Sequence, residues 1–292
     1  LDALEPVAVV TGTPRGPFVS SDGQWIGFTD NNSVLKKVAV AGGSPVTLTT
    51  LDGFPQGATW GPDDTVIFAT NGATGLQRIG AAGGATTVLT RPDRAHGEAD
   101  HLWPEMLPGN RAVLFTITAL TGGLDAAQVA VLDLQTGTRK VLVRGGSHAH
   151  YVASGHLVYA AGGTLRAVPF DLARLEARGT PVAVVADVTT TAFGAMDAVV
   201  ADDGTLAYVS GGGVTGVAAP RTLVWVDRQG RETPIPAPPR AYLLPRLSPD
   251  GTRIAVNAND QEQDVWLWDL GRTTLTRATF DPGNDVYPVW TP

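Results

Sequence analysis

Histidine is scarce in this chain, and its placement is uneven. There are five: His96, His101, His148, His150 and His156. His96 and His101 bracket two acids, Glu98 and Asp100, while His148 and His150 stand two residues apart further along. Imidazoles with a carboxylate form a ligand set for zinc or a similar divalent ion. An open position on such an ion would lower the pKa of a bound water and permit hydrolysis. On a regular strand, residues two apart point to one side, so His148 and His150 would face the same way. The candidate metal ligands are therefore His101, His148 and His150, for zinc or calcium. Glu98, Asp100 and Glu105 are the candidate carboxylate ligands or bases. The competing reading has these rings capping strands and bonding to backbone. His156, at a turn, reads as structural.

Other motif matches carry no chemistry. Gly211, Gly213 and Gly216 satisfy a G-x-G-x-x-G pattern, but the following VAAPRT offers no helix N-terminus for a pyrophosphate. Ser147 is a strand neighbour of His148, and strand neighbours point to opposite faces, which argues against a nucleophile–base pair. There is no G-x-S-x-G elbow, H-E-x-x-H motif or calcium-loop signature. The acidic segment Asp260–Asp264 reads as a solvated loop.

A repeat must position the histidines. Turn-forming pairs recur at Asp22-Gly23, Asp63-Asp64, Gly109-Asn110, Ser154-Gly155, Asp203-Gly204 and Asp250-Gly251, with spacings of 41, 46, 45, 49 and 47 residues. Such pairs tolerate the positive φ of a tight hairpin. Each is flanked by short apolar runs, and the clearest copy is residues 244–279, LPRLSPDGTRIAVNANDQEQDVWLWDLGRTTLTRAT. Four short antiparallel strands per roughly 45 residues make a propeller blade. A lone four-stranded sheet exposes both faces, and radial packing buries them. The expected fold is thus all-β, a six-bladed β-propeller of four-stranded antiparallel blades. It forms one domain over 1–292, with blades at 11–50, 51–93, 94–146, 147–188, 189–238 and 239–285. Leu172–Ala177 has helical spacing but is too short for more than a loop insertion. Leu4–Val10 resembles the fourth strand at Thr180–Val185, and Val286–Pro292 resembles a first strand. These terminal strands are expected either to help close the ring or to belong to a truncated repeat.

First strands line the channel of a propeller. The starts of neighbouring blades would bring the two histidine segments to one rim. The corresponding positions elsewhere offer Glu105, Asp197, Tyr242, Arg246 and Asp285 as channel-mouth binding residues. Arg246 near Glu105 or Asp197 would form a buried ion pair or bind an anion, the pair being the simpler expectation. Trp60, Trp103 and Trp290 fall at similar first-strand positions and read as packing between blades. Trp266 and Trp268 read as packing on one face of a third strand.

The stretch PRLSPDGTRIAV…DVWLWDL…LTRAT resembles the PD40, or TolB-like and WD40-like, propeller repeat, and the resemblance covers essentially the whole chain. Its signature is degraded where Ser20-Ser21, Gly61-Pro62 and Ala201-Asp202 replace Ser-Pro. HLWPEMLPGNRAVLFT (101–116) and SGHLVYAAGGTLRAVPFDLARLEARGTPVAVV (154–185) resemble the propeller modules attached to bacterial serine/threonine protein kinases. That setting implies a sensing or binding role and an extracytoplasmic or periplasmic location. The kinase motifs themselves are absent from this sequence. Six-bladed lactonases and phosphotriesterases hold a metal in the channel, usually calcium on carboxylate and Asn ligands, and the His-rich set here departs from that pattern.

Composition removes further classes. With 21 Lys and Arg against 28 Asp and Glu, the net charge is −7, and no basic cluster exists to neutralise nucleic acid phosphates. The absence of Cys excludes disulfides, thiolate zinc sites and a Cys nucleophile. No apolar run is long enough to insert into a membrane. The leading expectation is a binding or sensing module for a protein, peptide or small-molecule ligand, without catalysis of its own. The alternative is a metal-dependent hydrolase of esters, lactones or phosphotriesters.

Overall fold

Among the described residues the apolar runs of the repeat become strands, and the Asp-Gly-type pairs become the hairpins joining the first two strands of a blade. The computed structural model describes residues 8–72, 74–200, 205–210, 221–259, 263–280 and 285–291. It is a six-bladed β-propeller of antiparallel sheets set in a ring. The first blade holds β1 (Pro14–Val19), β2 (Trp25–Asp30), β3 (Val34–Ala39) and β4 (Val46–Thr50). The second holds β5 (Pro55–Trp60), β6 (Thr65–Thr70), β7 (Gln77–Gly80) and β8 (Thr87–Val88). The third holds β9 (Glu98–Met106), β10 (Ala112–Ala119), β11 (Gln128–Asp133) and β12 (Arg139–Arg144). The fourth holds β13 (Ser147–Val152), β14 (His156–Ala161), β15 (Thr164–Asp171), the two-residue β16 (Glu176–Ala177) and β17 (Val182–Val185). The fifth holds β18 (Ala198–Val200), β19 (Leu206–Val209), β20 (Leu223–Val226) and β21 (Glu232–Pro234). The sixth holds β22 (Tyr242–Leu247), β23 (Arg253–Asn259), β24 (Gln263–Asp269) and β25 (Thr274–Arg277).

Turn chemistry explains the recurring residues. The second turn residue is left-handed at Gly23 (φ 68°), Asp64 (56°), Asn110 (55°), Gly155 (78°) and Gly251 (67°). In the first blade, Ser20 Oγ donates to Asp22 Oδ1 at 2.5 Å and accepts from the Trp25 amide at 2.9 Å. Ser248, Asp250 and Arg253 repeat the arrangement in the sixth, at 2.6 and 2.9 Å. The Ser248 hydroxyl, with the Thr252 amide and hydroxyl, pulls the Asp250 carboxyl down to about 2. The aspartates ending third strands serve the next turn: Asp133, Asp171, Asp227 and Asp269 each accept a backbone N–H from two to four residues ahead. They are turn-forming groups, not candidates for chemistry.

The blades stick together through shared apolar clusters. Leu114, Val129 and Val131 of the third blade meet Leu157, Tyr159 and Phe170 of the fourth. Comparable clusters join the first blade to the second, the second to the third, the fourth to the fifth and the fifth to the sixth. Each fully buried Leu or Phe there contributes about 1.5–3 kcal/mol. Between the sixth and first blades, residues 285–291 act as a wedge. Asn257 donates to the Asp285 carbonyl at 2.7 Å and accepts from the Tyr287 amide at 2.9 Å. Trp290 Nε1 donates to the Arg246 carbonyl at 2.8 Å. On its other side the segment packs Val289 on Ile26, Phe28 and Val38, with Val9 and Val10 in the same cluster.

Leu172–Ala177 is not helical despite its spacing. Residues 176–177 pair back onto β15 at Phe170 and Asp171, with Leu175 left-handed (φ 54°) and buried. The Asp203-Gly204 turn, the Gly211–Gly216 loop, most of the Asp260–Asp264 segment and the start of Leu4–Val10 lie outside the described residues.

The inner strands are bulged at one repeated place. Register shifts occur between Arg15 and Phe18, Pro55 and Ala58, Ser147 and His150, and Leu243 and Arg246. A further shift in β9 lies between Leu102 and Glu105. Within them sit left-handed Gly16 (φ 54°), Gly57 (96°), Trp103 (55°), His148 (49°) and Leu244 (53°). Each lies seven residues before the second residue of its blade's turn: 23 − 16, 64 − 57, 110 − 103, 155 − 148 and 251 − 244 all equal 7. Bulges of this kind re-aim side chains.

Candidate functional site

The bulge in β13 aims His148 into a polar cluster on the inner face of the ring. Its amide donates to Thr116 Oγ1 in the third blade at 2.8 Å. Its Nδ1 accepts from the Met196 amide ahead of β18 at 2.9 Å, so the neutral ring carries its proton on Nε2. The ring lies 4.5 Å from that of His150 and 5.2 Å from that of Trp103. The two histidines do come together as their spacing suggested, but through a bulge and not a regular strand. His150 Nδ1 bonds to Glu105 Oε2, while Glu105 Oε1 accepts the Tyr151 amide at 2.8 Å. A carboxylate only accepts, so Nδ1 holds the proton. His150 Nε2 is buried and has no hydrogen-bond partner.

Arg246 and Asp197 complete the cluster electrostatically. Burial holds the His148 imidazole well below its ordinary range, and the charges of His150 and Arg246 push it the same way. Burial raises the Asp197 carboxyl, against the pull of Arg221 and Arg246. Burial lowers the Arg246 guanidinium, against the pull of Asp197. Arg246 Nη1 donates to the Pro245 carbonyl at 2.9 Å. Among the described residues neither Arg246 nor Asp197 has an opposite charge within 4.0 Å. The expected ion pair is therefore an attraction across a gap, and Glu105 is engaged by His150 instead.

His101 belongs to a different cluster. It is fully buried and packs edge-on against Phe115, with ring centroids 5.0 Å apart. Its Nδ1 pairs with Thr90 Oγ1 at 2.8 Å and its Nε2 with Glu98 Oε2 at 3.1 Å. Arg139 Nη1 donates to the same Glu98 oxygen at 2.8 Å. Both ring nitrogens are thus spent on structure. Burial lowers the His101 pKa, partly offset by Glu98. Asp100 sits apart, its amide donating to Thr118 Oγ1 at 2.9 Å and its carboxyl raised by burial.

The geometry places the remaining expected site residues as follows. The proposed ligands His101, His148 and His150 split between two clusters. Among the described residues no three His, Asp or Glu side chains converge as a metal site. The donors among the described residues therefore do not fit a zinc or calcium centre. Tyr242 is core and not channel wall: it is fully buried, and its hydroxyl donates to the Pro238 carbonyl at 2.6 Å. Asp285 is half-buried in the wedge, with Oδ2 buried and unpartnered. Ser147 is buried and donates to the Gly194 carbonyl at 2.9 Å, which positions the 191–194 loop. His96 is exposed beside Asp93, and His156 bonds within its own turn.

Trp103 is the residue whose role the packing reading missed. Its Nε1 donates to the Phe193 carbonyl at 2.7 Å, and its ring lines a cavity of about 240 Å³ between the first two blades. Phe54, Arg15, Gly57 and Tyr287 share that wall. Phe54 is 61% exposed, so the mouth presents an aromatic rim. The cavity and the His148 cluster thus share Trp103. A larger groove of about 590 Å³ runs beside Arg144, Tyr159 and Arg166 on the third and fourth blades, away from Trp103.

Solved structures share the fold at low identity. A puromycin-hydrolyzing peptidase of Mycobacterium tuberculosis aligns with TM-score 0.68 at 17% identity, over 92% of this chain and 44% of that one. TolB of Acinetobacter baumannii aligns with TM-score 0.58 at 16% identity, over 87% of this chain and 62% of that one. The calcium-binding protein regucalcin of Agrobacterium tumefaciens aligns with TM-score 0.59 at 15% identity, over 85% and 83%. This chain thus spans under two thirds of the TolB and under half of the peptidase. No protein-family model and no curated protein sequence matches it.

Proposed function

We propose that this chain is a ligand-binding or sensing propeller module, without catalysis of its own, whose channel mouth takes a small molecule or the end of a peptide. The observation that carries this reading is the joining of two features at Trp103. One is an aromatic-rimmed cavity of about 240 Å³, and the other is a polar cluster containing the buried, unpartnered Nε2 of His150. Ligand sites are concave, largely apolar and furnished with a few convergent polar groups. Buried polar atoms are normally satisfied, so an orphan in the cluster that Trp103 joins to the cavity through His148 supports a partner bound in that region.

Propellers of this shape include a peptidase, TolB and a calcium-binding protein, so fold alone does not choose between binding and catalysis. The metal-dependent hydrolase is the weaker reading, because its ligands are divided between two clusters. A place beside a receptor kinase or in a TolB-like protein, and an extracytoplasmic location, belong to the same proposal and rest on sequence resemblance. No helix among the described residues is long and apolar enough to cross a membrane.

The test is a fragment screen by ligand-observed NMR on the wild type and on Trp103→Ala. Fragments that bind the wild type and are lost in the variant support the mouth as the site. Hits that survive Trp103→Ala, or the absence of hits, overturn it.

A further inference from the structure

The seam between the sixth and first blades is built unlike the others. Among the described residues, each pair of successive blades from the first to the sixth shares a cluster of seven to twelve buried apolar residues. The cluster at the remaining seam has three, Ile26, Phe28 and Val38, all from the first blade. The sixth blade also turns apolar side chains to this seam. Ile254, Val256, Trp266 and Trp268 pack toward the fifth blade, so strand alternation puts Ala255, Asn257, Val265 and Leu267 on the other side. Val265 and Leu267 are only half-buried and join neither flanking cluster.

Residues 285–291 enter this seam with the sequence of an inner strand but without its pairing. Trp290-Thr291-Pro292 matches Trp60-Gly61-Pro62 of the second blade and Leu247-Ser248-Pro249 of the sixth. Left-handed Tyr287 precedes Trp290 as left-handed Gly57 and Leu244 precede Trp60 and Leu247: 290 − 287, 60 − 57 and 247 − 244 all equal 3. β5 and β22 each pair with a second strand. Residues 285–291 make no backbone–backbone hydrogen bond to any described residue, and the Asn257 side chain and the Trp290 indole hold them instead. Val9 and Val10, from the stretch whose sequence matches a fourth strand, join the seam cluster. The seam thus carries parts of a first and a fourth strand, with no second or third strand between them among the described residues. Backbone groups withdrawn from water are normally paired, and an unpaired strand edge is a template for another strand.

We infer that this seam is a docking surface for one kind of partner, an antiparallel β-hairpin with the pattern of the repeat's own second and third strands. Its first strand would pair with residues 285–291 by strand addition, and its second would lie toward Val9 and Val10. One face of the hairpin would extend the cover that Val289 gives Ile26, Phe28 and Val38, and the other would cover Ala255, Val265 and Leu267. Strands buried on both faces read as continuous apolar runs, and Ile254-Ala255-Val256 and Val265-Trp266-Leu267-Trp268 have that character. Tyr287 also lines the cavity beside Trp103, so a seated hairpin would steady one wall of that cavity.

The test adds to the whole protein a peptide copying residues 252–270, the second and third strands of the clearest repeat. Calorimetric titration compares it with the same peptide carrying Ala255→Pro, which removes a ladder amide, and with a scrambled peptide. Hydrogen exchange reads the amides of residues 285–291 with and without peptide. The peptide should bind at least about tenfold more tightly than either control and slow exchange within 285–291 by at least about tenfold. Equal binding of the three peptides, or no binding at millimolar concentration, overturns the inference. So does binding that slows amides elsewhere and leaves 285–291 unchanged. Amides of 285–291 that exchange as slowly as those of β23 in the protein alone also overturn it, because the edge is then already paired. Slowing that follows protein concentration without any peptide assigns the edge to a second copy of this chain and overturns the hairpin.

Discussion

Gly57→Ala and Gly16→Ala form a matched pair that tests the geometry of the mouth. Both glycines occupy the left-handed position of an inner strand, at φ 96° and 54°. For an alanine, left-handed backbone costs about 1–2 kcal/mol, and losing glycine's freedom in the unfolded chain returns about 0.5–1 kcal/mol. At Gly16 nothing lies within 4 Å of a new Cβ. At Gly57 a Cβ would stand 3.0 Å from Trp103 Cε3, 3.1 Å from Trp103 Cα and 3.3 Å from Pro104 Cδ. Backbone is among those neighbours, so relief requires the third blade's inner strand to shift, and overpacking of this kind costs about 1–3 kcal/mol. The expected loss is about 1 kcal/mol or less for Gly16→Ala and about 2–3 kcal/mol for Gly57→Ala. For a chain of this size each kcal/mol lowers Tm by about 2–4 °C. Calorimetric melting should therefore show Gly57→Ala falling by about 4–12 °C and Gly16→Ala by under about 4 °C. Gly57→Ala should also weaken any ligand that uses Trp103. Equal shifts in the two variants would refute the close approach of the first three blades at the mouth.

Further outcomes follow from other contacts. His148 and His101 have folded pKa values lowered by burial, so the unfolded chain binds more protons below its own value of about 6.5. Their contribution is present above that pH and is lost as pH falls below it; His148→Asn should flatten the decline of Tm between neutral and mildly acid pH, and an unchanged slope would refute the burial assigned to His148. Asp197, with its raised pKa, works in the opposite sense and cannot produce that decline. Asn257→Ala leaves the Tyr287 amide and Asp285 carbonyl without their partner, at a cost of about 1–3 kcal/mol; limited proteolysis should then cut near residues 285–291 faster than in the wild type, and equal rates would contradict the wedge. Leu114→Ala, at a fully buried position of the third and fourth blades' shared cluster, should cost about 2–5 kcal/mol by denaturant titration.

The fold was legible because its signals are local and repeated. Asp-Gly-type turns require positive φ, and the structure places one at the second turn residue in every described copy. The six sheets follow from the apolar runs between them. The candidate site was less legible because its assembly depends on which neighbour each ring meets. A regular strand would put His148 and His150 on one face, and the structure brings their rings to 4.5 Å through a bulge instead. Spacing could not show that Thr90 and Glu98 would consume both nitrogens of His101, or that Glu105 would pair with His150 and not with Arg246. Tyr242 and Arg246 are four apart on one inner strand and would share a face if it were regular, but the bulge between Leu243 and Arg246 breaks the alternation and the Tyr242 ring packs into the core. Leu172–Ala177 shows the same limit: its period suits a helix, but too few residues follow to repay helix nucleation, and a hairpin on β15 wins.

The site has a simpler description than its residue names suggest. It is largely one position of the repeat, seven residues before the second residue of each inner turn. Gly16, Gly57 and Trp103 hold that position in the first three blades and line the cavity. His148 holds it in the fourth and Asp197 in the fifth, since 204 − 197 is also 7, and both belong to the polar cluster. Tyr287, left-handed at φ 62° in the wedge, lines the cavity too. Only Leu244 lies outside the site. The backbone tolerates this geometry most cheaply with glycine, as the first two blades show. Trp, His and Tyr at the same place accept left-handed strain of about 1–2 kcal/mol each. Trp103 and Tyr287 carry this strain at the cavity and His148 carries it in contact with Trp103, whereas Leu244 carries it away from the site, so the bulge belongs to the repeat and the blades differ in the side chain they place on it. That is why Trp103 belongs with His148 in the candidate site, and why Trp60, three residues beyond the bulge in β5 and buried against Phe18, does not.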